Sequence, residues 1–89
     1  MFTPVWTKRF QKDVRLAEKR GKDIETMKTV TTLLLGGKAL EARYRDHKLH
    51  GEYEDCRECH VQPDWLIIYR IVGNTIHFLR TGTHADLFE

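Results

Sequence analysis

The sequence predicts an α+β domain, and three observations carry that prediction. Helical periodicity fills the first part of the chain, β-branched and aromatic runs fill the last part, and no Pro/Gly/Ser-rich linker divides them. The expected architecture packs two N-terminal helices on one face of a small antiparallel sheet that ends in a meander, a single domain over residues 1–89. With 40% hydrophobic and 31% charged residues, the chain has material for one core. Its 89 residues tilt against folds that must enclose a nucleotide or flavin.

Taken in order, Phe2 to Trp6 reads as a short strand, and Pro4 confines it to a sheet edge or a strand start because it lacks an N–H. Thr7 can cap a helix reaching about Arg20, with Phe10, Val14 and Ala17 on one stripe and Gly21 as its stop. Asp23 can cap a second helix that buries Ile24, Met27, Val30 or Thr31, and Leu34, and ends at Gly36-Gly37. A polar connection from Lys38 to Asp55 leads to strands at Cys56 to Val61 and Trp65 to Ile71. Gly73-Asn74 turns the second of these into Thr75 to Arg80. Ile76 and Phe78 are the expected core pair of that last strand, leaving His77 exposed with no task. Thr83 can cap a final helical turn whose Leu87 and Phe88 pack inward.

The net charge of +2 averages two unlike halves. Residues 1–50 hold twelve basic against six acidic side chains, and residues 51–89 hold three against seven. Lys8, Arg9, Lys12, Arg15, Lys19 and Arg20 fall on the outer side of the first helix, a basic ridge suited to a polyanion. No apolar run approaches a membrane span, and lysine and arginine follow the N-terminus where a secretory signal would be apolar, so the expected location is the cytoplasm, with no membrane contact.

Cys56-Arg-Glu-Cys59-His60 matches the spacing of c-type haem attachment. On a strand, however, the two thiols face opposite sides and cannot grip one ligand, and the same parity argues against a zinc site or a disulfide. It places Cys56, Glu58 and His60 on one face and Arg57, Cys59 and Val61 on the other. His47, His50, His60, Asp64, Arg80 and His84 fall in connections or at strand ends, where catalytic groups are commonly displayed. Imidazoles, a carboxylate and a guanidinium without a cofactor motif suit RNA strand cleavage. There the substrate's 2′-hydroxyl is the nucleophile, and the protein needs only a base, an acid and a cation for the phosphorane.

Four blocks carry a resemblance that spans essentially the whole chain. Lys12-Asp13, Asp46-His47-x-Leu49-x-Gly51, Arg57-Glu58-x-His60-Val61-x-Pro63-Asp64-Trp65-x-Ile67-x-Tyr69, and Arg80-Thr81-Gly82-Thr83-His84-Ala85-x-Leu87-Phe88 resemble the YafQ branch of the RelE/ParE toxin superfamily. The resemblance implies the RelE-like fold and a type II toxin that cuts messenger RNA in the ribosomal A site without a metal or other cofactor. It implies a cognate antitoxin, through which the complex contacts operator DNA, and the 70S ribosome as a further partner. By position it assigns catalytic roles to His47, His60, Asp64 and His84, with His84 as acid and the others sharing base and orienting duties. Glu58 and Phe88 become substrate contacts, Arg80 is expected to meet the phosphate mainly from its charge and its place beside the last motif, His50 is peripheral, and the basic ridge becomes the ribosome-docking face. The alternatives are a gyrase poison of the ParE kind, which shares the fold but lacks these histidines, and a non-catalytic nucleic-acid-binding module.

Overall fold

The structure, a computed structural model, describes residues 1–88. Its order is β1 (Thr3–Trp6), α1 (Lys8–Lys19), α2 (Ile24–Leu35), β2 (His47–Lys48), β3 (Arg57–Gln62), β4 (Trp65–Val72), β5 (Thr75–Gly82) and α3 (His84–Phe88). Single 3-10 turns at Ala42–Tyr44 and Gly51–Tyr53 flank β2. Both expected caps form: Thr7 Oγ1 accepts from the Phe10 N–H at 3.1 Å, and Asp23 Oδ1 from the Glu25 N–H at 3.0 Å. α1 buries Phe10, Asp13 and Ala17, and α2 buries Met27, Val30, Thr31 and Leu34. Gly21 ends the first helix at φ 80°, a left-handed conformation that glycine adopts freely.

The strands form one five-stranded sheet in the order β1-β5-β4-β3-β2. It is mixed, where an antiparallel sheet was expected, because β1 runs parallel to β5 from Thr3↔Thr75 to Trp6↔Phe78. The helical hairpin returns the chain to the far side of the sheet before β5 arrives, and no local pattern in β1 specifies the direction of so distant a partner. The Trp6 ring stacks on Phe78 at 4.5 Å, and Thr7 Oγ1 donates to the Phe78 carbonyl at 2.7 Å, which fixes the register. Pro4 sits on the edge strand, as its missing N–H requires.

Both faces of the sheet are packed. The helix side buries Phe10, Val30, Cys59, Trp65, Ile67, Tyr69, Ile76 and Phe78 with their neighbours. The opposite side has a smaller cluster of Cys56, Leu66, Ile68 and Leu87, covered by Leu49, Tyr53 and Leu79. The strand parity of β3 is as expected, with the two free thiols on opposite faces. Two-sided burial explains why Trp65 to Tyr69 reads as a continuous apolar run. His77, expected to be exposed, is half-buried, and Phe88, expected to pack inward, is 46% exposed while Leu87 alone is buried.

A register shift interrupts the pairing of β4 with β5. Tyr69 pairs with Phe78 but Ile68 pairs with Arg80, so Leu79 is the extra residue of a bulge. Beyond it the alternation inverts. Thr81 is the residue turned into the helix-side core, where its hydroxyl accepts from Trp65 Nε1 at 2.9 Å and donates to the Leu66 carbonyl at 2.7 Å.

Candidate active site

The sheet face opposite the helices gathers the histidines. β2 is only two residues long, but its pairing sets His47 opposite Glu58. Asp46 anchors this edge by accepting from the Tyr69 hydroxyl at 2.5 Å and from Arg57 Nε at 3.3 Å. Its neighbour His47 then turns to the other face. Leu49 packs into the smaller cluster, and Gly51 takes a φ of 73° to open the following turn. The β3–β4 hairpin turns at Pro63-Asp64, which delivers Asp64 to His84, the first residue of α3.

The rings form a row. His47 and His60 centroids are 6.4 Å apart, His60 and His84 5.6 Å, His84 and Phe88 6.4 Å, and Phe88 meets Tyr53 edge-on at 6.0 Å. Each end of the histidine row is held by a carboxylate. Asp64 Oδ1 accepts from both the His84 backbone N–H at 2.9 Å and the ring Nδ1 at 2.6 Å. These bonds, the backbone one first, hold the Asp64 carboxyl below the usual carboxylate range. They also place the proton on Nδ1 and leave Nε2 of His84 free.

His47 is arranged differently. Its Nδ1 lies 2.6 Å from the Arg45 carbonyl, which can only accept, and its Nε2 lies 2.9 Å from Glu58 Oε2. Both ring nitrogens are therefore committed within the protein. Glu58 is only 6% exposed and lies 3.6 Å from His60 Nε2, while its Oε1 is buried with no partner. It is buried against the imidazoles of His47 and His60. His50, in the loop beyond β2, is exposed and joins none of these contacts.

Arg80 is reached from behind by α1: Asp13 Oδ2 accepts from its Nε at 2.7 Å, and Oδ1 from its Nη2 at 3.4 Å. The Asp13 hydrogen bond, against the opposing effect of burial, raises the guanidinium above its ordinary value, and the Asp13 charge adds to this. A groove of about 650 Å³ opens beside His60, lined by Thr26, Thr29, Arg43, Arg45 and Gln62 among others. Among the described residues, no three His, Cys, Asp or Glu side chains converge as a metal site would require.

Residues 2–89 match the family described as the bacterial toxin of type II toxin–antitoxin system, YafQ. The chain belongs to this family. It is 46% identical over 80 residues to the mRNA interferase toxin YafQ of Escherichia coli K12, a match covering 89% of this chain and 87% of that one. The crystal structure of YafQ from E. coli BL21(DE3) superposes with a TM-score of 0.95 at 40% identity, covering 100% of both chains. A chain of the E. coli DinJ–YafQ complex superposes with a TM-score of 0.93 at 41% identity, again over 100% of both.

Within this YafQ-family site, sequence reasoning missed the residues that hold the chemical groups in place. Asp13 was visible only as half of a short motif, and a carboxylate at i+3 from Phe10 on a helix stripe was its one signal. Asp46 was legible as a motif residue but not as the anchor of Arg57 and Tyr69. On the ridge, Lys8, Arg9, Lys12, Arg15, Lys19 and Arg20 are all exposed. Arg20 nevertheless makes a forked pair with Asp86, at 2.6 and 3.3 Å, and Arg9 lies 3.6 Å from Asp13. No described helix is long and apolar enough to cross a membrane.

Proposed function

We propose that this chain is a cytoplasmic endoribonuclease toxin, one domain over residues 1–89, that cuts messenger RNA in the ribosomal A site and is neutralised by a cognate antitoxin. The observation that carries the reading is the row of His47, His60 and His84, clamped by Glu58 and Asp64 on the face opposite the helices. Its YafQ relative in E. coli is named an mRNA interferase, and YafQ there assembles with DinJ. Antitoxin binding, and operator contact through the antitoxin, are proposed for this chain on that likeness.

In the proposed reaction the RNA 2′-oxygen attacks the adjacent phosphorus as its proton passes to a base. The P–O5′ bond breaks, an acid protonates the leaving 5′-oxygen, and a 2′,3′-cyclic phosphate remains. His84 is assigned as the acid in its imidazolium form: Asp64 accepts from Nδ1–H and orients the ring, and the second ring proton, on Nε2, which Asp64 leaves free, is the one given to the leaving oxygen. His60 is assigned as the base, since its neighbour His47 has no free ring nitrogen. His47 and Glu58 then orient and charge-balance His60, which moves Glu58 from substrate contact to support. Arg80 offsets the growing charge on the phosphorane, and the exposed Phe88 ring stacks on a base. The ridge on α1 meets ribosomal RNA.

Primer extension on ribosome-bound message in a cell-free translation system tests the proposal. Discrete cuts are expected with the wild type, reduced roughly 10²–10⁴-fold in His84→Ala and strongly in Asp64→Ala. Intact message with inhibited gyrase would replace this reading with a ParE-like poison. Intact message with no inhibition of either would leave a binding module.

A further inference from the structure

Asp13 is a charged residue in the apolar stripe of α1, between Phe10 and Ala17, and only 8% exposed. A carboxylate so placed is costly unless fully bonded. It accepts from Arg80 Nε and Nη2 and, at 3.1 Å, from the backbone N–H of Thr81. Residue 81 lies on the stretch of β5 beyond Trp6, where β1 no longer offers a strand partner. One carboxylate thus completes the sheet edge and fixes the guanidinium immediately before it in sequence.

We propose that Asp13 is a positioning residue for the cleavage reaction, setting the plane and reach of Arg80 toward the scissile phosphate. The inference rests on the nuclease reading above. Arginine carries a long, rotamer-rich side chain, and a forked carboxylate partner removes that freedom before substrate arrives. The inverted alternation after the Leu79 bulge makes such a restraint necessary. Arg80 pairs with Ile68 of the histidine-side cluster, yet its head group is held from the helix side. Asp13 therefore acts through Arg80 and touches no RNA.

The test is single-turnover cleavage of ribosome-bound message by wild type, Asp13→Ala, Asp13→Asn, Arg80→Ala and the Asp13→Ala/Arg80→Ala double variant. Asp13→Ala is expected to lower kcat by roughly 10–100-fold with KM changed by less than about threefold. In the Arg80→Ala background the same change is expected to cost less than about twofold, because the residue it positions is gone. Asp13→Asn keeps the shape and an acceptor for Thr81, so it reports if the alanine variant does not fold; circular dichroism checks both. A wild-type kcat in Asp13→Asn, or an equal loss with and without Arg80, overturns the inference while leaving the nuclease reading intact. An uncut message with the wild type overturns both.

Discussion

His47 and His84 are both exposed imidazoles beside a carboxylate, but the donors and acceptors around them differ. The Arg45 carbonyl and Glu58 engage both ring nitrogens of His47, and this carbonyl is aimed by an arginine at φ 48°, a left-handed conformation rare outside glycine. Arg45→Gly is therefore expected to keep the fold stable to within about 1 kcal/mol in thermal melts, because glycine accepts this backbone freely. It is expected to weaken RNA binding through loss of the cation that lines the groove beside His60. An unchanged KM for cleavage would show that the groove carries no RNA. Residue identities at this site were legible because motif spacing preserved them. Their pairings were not, since the approach of Asp13 to Arg80 joins residues from opposite ends of the chain. The outward turn of Phe88 was equally hidden, because it depends on where α3 docks.

Among the elements, α3 shows how a five-residue helix is made secure. Thr83 Oγ1 accepts from the Asp86 N–H at 3.1 Å, and Asp86 Oδ2 accepts from the Thr83 N–H at 2.9 Å, a reciprocal cap. The Arg20 pair and the Thr83 bond hold the Asp86 carboxyl at about 2, from an ordinary 3.8. A lowered folded-state value means stabilisation that is complete above about pH 4 and lost as pH falls toward about 2. Urea melts should therefore show a wild-type advantage over Asp86→Asn near neutral pH that vanishes near about pH 2. Gly82 belongs to the same device: a Cβ there would lie 2.9 Å from Asp86 Oδ2 and 3.0 Å from its Cβ. Gly82→Ala should cost about 1–3 kcal/mol in the same melts, by displacing Asp86 from both partners. Elements specified by adjacent residues were readable from sequence, as the Thr7 and Asp23 caps and the Gly73-Asn74 turn attest. β2 was not, because two residues carry no period and gain their identity only from β3.

Over the whole molecule, half of the basic residues in the first 50 positions stand on or just past α1. α1 presents its basic ridge outward while Asp13 on its inner side grips β5, and Arg20, just past its last turn, reaches Asp86 of α3. Changing Lys12, Arg15 and Lys19 together to glutamate should weaken ribosome binding and flatten its salt dependence, with melting unchanged to within about 0.5 kcal/mol each. Normal translational arrest by this triple variant would reduce the ridge to a solvated surface. The α+β class and the helical hairpin were readable because they follow local periodicity. The mixed sheet was not, since it rests on β1 meeting a strand about seventy residues on, and the second apolar cluster was not, since its cover, Leu49 and Tyr53, comes from the folded-back connection between residues 38 and 55.

The parallel pairing of β1 with β5 has a consequence for the order in which the molecule is made. Synthesis releases Thr3–Trp6 early, but their partners, Thr75 to Phe78, come more than seventy residues later. The nascent chain must carry an unpaired strand until β5 emerges, and Arg80 and His84 emerge later still. A polypeptide interrupted inside its own message before residue 75 consequently has neither a closed sheet nor the proposed active site. If the proposed cleavage falls in a transcript of the toxin itself ahead of that codon, the polypeptide left behind cannot make another cut.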